Sequence, residues 1–215
     1  YAGNDEWILH STDQNGNDKR VMLMEKQVRV LFGKVPTEPE EYILASQISQ
    51  AEAKKYFIER MRVDRPHKTG IIWWNLLDGW PQMSDAVVDY YYTKKLAYHY
   101  IKISQAPFTI AADEPKNGSL NLYACNDTLA SENGILTVKE AFSGEIIHSC
   151  AFTAKENAST LIATLKTAEL KEKMLIFEWS TVKESGRNHY LCNDPPIDLA
   201  EYKKFLMLYF DFYMR

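Results

Sequence analysis

Between Thr69 and Gln82 the chain carries Trp73, Trp74, Asn75, Asp78 and Trp80, three indoles with an amide and a carboxylate among them. Flat aromatic faces beside such polar groups suit a ligand that is apolar on one face and hydroxylated at its rim. A pyranose ring has that surface. Asn75 and Asp78 can hydrogen-bond sugar hydroxyls, or instead close the loop by bonds to backbone. Trp80, held by Pro81, reads as a wall of the pocket or of an adjacent subsite. The run that positions them enters through Gly70 as a short apolar segment and ends at Asp78-Gly79 and Pro81. That pattern predicts a strand buried on both faces and then a loop. Parallel barrel strands carry their working residues at their C-terminal ends.

Gly70-Ile71-Ile72-Trp73-Trp74-Asn75-Leu76-Leu77-Asp78-Gly79-Trp80-Pro81, followed by Asp89-Tyr90-Tyr91 and Lys95-Leu96-Ala97-Tyr98-His99-Tyr100, resembles glycoside hydrolase family 2, and its β-mannosidase branch most. Upstream, Ala45 to Ala53 resembles the helix that precedes this motif, and the resemblance is dense from about Glu40 to Pro107. It implies that Thr69 to Asn75 is the eighth strand of a (β/α)8 barrel and that Trp74 is the floor of the sugar site. It also implies a cis peptide between Trp74 and Asn75, and an immunoglobulin-like domain after the barrel.

Retaining glycosidases need two carboxyl groups roughly 5–5.5 Å apart, a nucleophile and an acid/base. In family 2 the acid/base follows an Asn-Glu motif on the fourth barrel strand, and the nucleophile is a Glu on the seventh. Neither motif occurs in this chain. The resemblance therefore implies that the catalytic pair lies upstream of Tyr1, that no catalytic residue is present, and that this piece alone is inert. Asp78, Asp85 and Asp89 are close in sequence but are not read as a substitute pair, because Asp78-Gly79 is an ordinary turn and Asp85 a solvated loop residue. Trp73, Tyr98, His99 and Tyr100 are read as packing groups.

Composition bounds the rest. The chain has 215 residues, 46% of them hydrophobic, with a formal net charge of -4. That suits a globular protein with a sizeable core. It gives no basic footprint for nucleic acid and no apolar run long enough to cross a membrane. Tyr1-Ala2-Gly3-Asn4-Asp5 does not look like a natural start, so the chain is read as a piece of something longer. Its localisation stays open, and a periplasmic, extracellular or lysosomal parent all fit. Cys125, Cys150 and Cys192 lack metal spacing and are odd in number, which excludes a full disulfide framework, though not one bridge. His10 and His67 have no partners at ligand spacing, so no metal and no cofactor are expected. Asn117, Asn126 and Asn157 fit the glycosylation acceptor pattern, which matters only in a eukaryotic secreted protein.

The positioning elements follow in order. Tyr1 to about Asn15 is read as loop, and Asn17 to Phe32 as a helix stopped by Gly33. Thr37-Glu38-Pro39-Glu40 has the form of a capping box opening a helix to about Val63. On it Leu44, Ile48, Ala51 and Ile58 share a face, Lys55 is expected to reach water from that face, and Ala45, Ser49 and Ala53 allow close approach. A short extended piece is expected at Ala86-Val87-Val88, and a helix from Lys94 to about Ser104. From Gln105 on the period changes to alternating, with seven candidate strands between Phe108 and Cys192. Turns such as Lys116-Asn117-Gly118 separate them, which indicates an antiparallel immunoglobulin-like sandwich.

The expected organisation is thus the end of a TIM barrel over 1–105, a β-sandwich over 106–194, and a C-terminal helix or strand over 195–215. The apolar run Phe205 to Met214 leaves that last choice open. The expected partner is an oligosaccharide or glycoside substrate of the parent enzyme, with self-association through the incomplete barrel. A non-catalytic carbohydrate-binding or protein-interaction module is the alternative, and a degenerate reading frame with no activity a third.

Overall fold

A computed structural model describes Tyr1, residues 3–12 and residues 19–210. The chain divides into two compact units. The first comprises Tyr1–Lys55, Ile72–Ile101 and the segment from Pro195; the second comprises Tyr56–Ile71 and Lys102–Asp194.

The second unit contains the sandwich. Its strands are β1 (Phe108–Ala112), β2 (Ser119–Asn126), β3 (Glu132–Glu140), β4 (Ile146–Ala154), β5 (Ala158–Lys166), β6 (Met174–Thr181) and β7 (Ser185–Leu191). They form an antiparallel three-stranded sheet, order β1-β2-β5, and an antiparallel four-stranded sheet, order β4-β3-β6-β7. Alternate residues point inward along each strand, so Leu120, Leu122, Leu136, Val138, Leu175 and Phe177 meet in one core. Asn117 and Gly118, both at positive φ (51° and 76°), make the two-residue turn between the bridged Lys116 and Ser119, in the connection from β1 to β2. That conformation matches the twist of a hairpin and is the one Asn-Gly favours.

The last turns of the long helix α3 (Pro39–Val63) belong to this unit. Glu59 accepts from Ser104 Oγ (3.1 Å) and from Asn188 Nδ2 (2.8 Å), and the same Asn188 amide donates to the carbonyl of Ile110 (2.8 Å). Arg62 donates to the carbonyls of Ser104 (2.6 Å) and Ala106 (2.8 Å) and pairs with Asp127 (3.1 Å). Buried Glu59, Ser104 and Asn188 thus satisfy one another, as burial requires.

The first unit is helical. Residues expected to be loop instead include a short helix, α1 (Asp5–Leu9), because the Asn4 side chain accepts from the backbone N–H groups of Glu6 and Trp7 and so caps it. Helix α2 (Arg20–Phe32) ends at Gly33, in the left-handed region at φ 73°. The expected start of that helix at Asn17 lies outside the described residues. On α3, Ile48, Ala51 and Ile58 are buried as expected, while Ala53 is exposed. Lys55 does not reach water: it is only 5% exposed, because it lies four residues after Ala51 and three before Ile58 on the same buried stripe.

Helix α4 spans Leu96–Ser104, and α5 spans Leu199–Tyr209, capped by Asp198, whose carboxylate accepts from Glu201 N (2.8 Å). The C-terminal segment is therefore helix as far as Tyr209; the part of the aromatic run from residue 211 lies outside the described residues. Tyr202 donates its hydroxyl proton to Glu52, so Tyr100, 2.7 Å away, donates to Tyr202. Burial, with Glu52 adding to it, pushes both phenols well above their ordinary range.

The expected eighth strand does not form. Residues Thr69 to Asn75 make no ladder, and among the described residues there is no parallel sheet. The (β/α)8 portion is thus not seen in this chain. A strand exists only beside another, since its N–H and C=O groups need a facing row of partners. The bonds that do form come later. Val87 N donates to the Asn75 carbonyl (3.2 Å), Val88 N to that of Leu76 (2.9 Å), and Asp78 N to that of Val88 (3.1 Å). They leave one isolated parallel bridge, Leu77 with Val88.

Candidate functional site

The segment from Ile72 to Trp80, with the loop that follows it, belongs to the first unit. Ile72, Trp74 and Leu76 are exposed while Trp73 and Asn75 between them are partly buried, a period of two without a sheet. Trp74 is 75% exposed and Trp80 42%. The Trp74–Asn75 peptide is cis, as the resemblance implies.

Lys54, on α3, holds this segment from below. Its Nζ donates to the Trp74 carbonyl at 2.7 Å and stands 5.3 Å from the centre of the Trp73 ring. Burial lowers the Lys54 pKa from 10.5; Asp85 opposes that shift and Arg20 adds to it. Asn75 uses its backbone carbonyl to bind Val87 N, and its side-chain Oδ1 is buried with no hydrogen-bond partner among the described residues.

Asp78 turns into the loop. Its carboxylate is fully buried and accepts from Gln82 Nε2 (2.9 Å), Ser84 Oγ and Lys95 Nζ (3.1 Å). These bonds close the loop through side chains. Asp85 is not simply solvated either, because its Oδ2 pairs with Arg20 at 2.6 Å. Asp89 closes the next turn, accepting from Tyr91 N (2.9 Å) and Thr93 N (2.8 Å) with Tyr92 at φ 65° between them. All three acids of this loop are therefore engaged with their own surroundings.

Trp80 meets a residue that the sequence reading set aside. The His10 ring stacks on it, with centroids 5.0 Å apart and planes 23° from parallel. His10 Nδ1 lies 2.6 Å from the Pro81 carbonyl. Seventy-one residues separate the last two groups, so no local pattern could have linked them. Lys54 was missed for a similar reason, since a helical lysine near a tryptophan twenty residues on carries no signal by itself. Among the described residues no three His, Cys, Asp or Glu side chains gather as metal ligands would.

No family model matches the chain. It is 26% identical over 118 residues to β-mannosidase B of Aspergillus terreus, a stretch that covers 48% of this chain and 14% of that protein. Its structure superposes on the β-D-mannosidase of Dictyoglomus thermophilum with a TM-score of 0.75 over 91% of this chain, at 23% identity. The chain is thus similar in sequence and in fold to part of β-mannosidases. The β-mannosidase-like fold also superposes on the exo-chitosanase of Amycolatopsis orientalis in complex with PNP-β-D-glucosamine, with a TM-score of 0.64 over 84% of the chain at 18% identity. These relatives are glycoside hydrolases, and the sandwich is similar to the C-terminal part of such enzymes. The chain spans 24% of the first of these structures and 22% of the second.

Proposed function

We propose that this chain supplies one wall of the sugar site of a retaining exo-β-glycosidase acting on β-mannosides or β-galactosides. The carrying observation is the pair of exposed indoles, Trp74 and Trp80, on a segment closed by the buried Asp78 carboxylate. Trp74 forms the floor, Asn75 binds a hydroxyl beside it, Trp80 forms a side wall, and Asp78 fixes the loop between them. Residues 1–105 would be the last part of a (β/α)8 barrel, 106–194 its following domain, and 195–215 a C-terminal extension. The two catalytic carboxylates belong to other parts of the parent protein, since the loop acids of this chain are already paired or capping.

This reading predicts binding without turnover. Methyl β-mannoside should quench tryptophan fluorescence of the chain, Trp74→Ala should lose the quenching, and an aryl β-mannoside should not be hydrolysed. Hydrolysis by the isolated chain would overturn the assignment of the acids. A non-catalytic carbohydrate-binding module fits the same exposed indoles, and complementation separates the two. Adding the upstream polypeptide of the parent restores hydrolysis only if this chain is part of an enzyme. Copies are also expected to associate through the unpaired edge at Ile72, which is 98% exposed. Monomers at every concentration in light scattering would refute that part.

A further inference from the structure

Trp80 is held in a way its neighbours in sequence do not explain. The segment at residues 10–12 is stitched to residues 81–83: Met83 N donates to the His10 carbonyl (2.8 Å), and Thr12 N and Oγ1 both donate to the Met83 carbonyl (3.1 Å each). Ser11 and Met83 form a parallel bridge. On that frame the His10 ring lies against one face of the Trp80 indole while its Nδ1 meets the Pro81 carbonyl. A carbonyl oxygen can only accept, so Nδ1 carries the proton and, in the neutral ring, Nε2 is left as the acceptor.

We infer that His10 is the positioning residue of the Trp80 wall. It covers one indole face and leaves the other for the sugar, resting on the carbohydrate-site reading given above. The stack fixes the ring plane, and the Nδ1–H bond fixes the imidazole that makes the stack. Binding platforms work when their own rotamers are locked by packing and by supporting hydrogen bonds. With one face closed and 42% of the residue still exposed, Trp80 is a one-sided platform. A flat indole open on one side is what the apolar face of a pyranose requires.

The test uses the full chain with nitrogen-15 labelling and the variants His10→Ala and His10→Phe. The neutral His10 ring is expected as the Nδ1–H tautomer, and His10→Ala is expected to shift the Trp80 indole N–H resonance while that of Trp74 stays in place. An Nε2–H tautomer, or an unmoved Trp80 resonance, overturns the inference whatever the sugar does. In titration with methyl β-mannoside, His10→Ala should weaken binding by about fivefold, whereas His10→Phe, which keeps the stack, should stay within about twofold. Equal affinity of His10→Ala and wild type would also overturn it. If wild-type chain does not bind the mannoside at all, the carbohydrate reading fails, and the resonances still decide the part played by His10.

Discussion

The sandwich strands and the Ile72 segment are both rich in apolar residues, yet they end in opposite states. Phe177 in β6 has partners on both sides in its sheet and is fully buried, whereas Ile72 is 98% exposed beside no strand. Composition sets how much apolar surface a segment offers; neighbours decide whether that surface leaves water. Removing side chains should expose the contrast most strongly. Phe177→Ala is expected to cost about 3–5 kcal/mol in denaturant unfolding, because it loses burial and leaves a cavity. Ile72→Ala, measured dilute enough to keep copies apart, should stay within about 0.5 kcal/mol. A large cost at Ile72 would mean the segment is covered, and the contrast would collapse.

A polar version of the same comparison is smaller. In the second unit Asn188 donates to both Glu59 and the Ile110 carbonyl from a site that is 2% exposed. Asn188→Ala takes a donor from each of these acceptors inside the protein. The expected cost is about 1–3 kcal/mol. Gln50 in the first unit makes a comparable bond to the Asp85 carbonyl (2.8 Å), but from a partly buried position. Gln50→Ala should cost less, since water can replace what is lost, and equal costs would show that exposure does not separate the two.

How much of this was legible follows the same line. The seven strands could be read because alternation and turns such as Asn117-Gly118 are local properties, and each segment brings the pattern its neighbour needs. The Gly33 stop of α2 was legible for the same reason. The barrel strand at Thr69 to Asn75 could be named from its residues, but a ladder requires other strands, and none lies alongside among the described residues. Lys55 was misread because its type suggests water while its helical phase puts it with Ala51 and Ile58. In the site, the indoles and Asn75 announce themselves by type. The burial of the Asp78 carboxylate under Gln82, Ser84 and Lys95, and the stack of His10 on Trp80, depend on where the chain returns.

Cys125 in the second unit and Lys54 in the first titrate with opposite sign. Burial pushes the Cys125 thiol from 9.0 to about 11, with Arg62 and Ser159 opposing the shift. Between those values the unfolded thiol gives up its proton while the folded one keeps it. The folded state then binds more protons, so stability falls as pH rises through that window. Cys125→Ala should remove this part of the fall in a series of denaturant titrations from pH 8 to 11. A slope unchanged by the substitution would place the alkaline loss elsewhere.

Lys54 should show the opposite sign and the smallest effect. Its pKa is lowered from 10.5, first by burial, so the folded state binds fewer protons than the unfolded chain just below that value. Stability therefore gains slightly as pH rises through the window between the lowered pKa and 10.5. Half-exposure lets solvent screen the effect, and the ring contact with Trp73 at 5.3 Å is itself worth only about 0.5–1 kcal/mol. Lys54→Met keeps the stem and removes the charge and the bond to the Trp74 carbonyl. It should abolish the alkaline gain, change overall stability by less than about 1 kcal/mol, and alter tryptophan emission, because the backbone under Trp74 loses its anchor. A variant that left the emission and the pH slope untouched would show that the exposed indole is positioned without help from α3, and the two units would then differ less than their structures suggest.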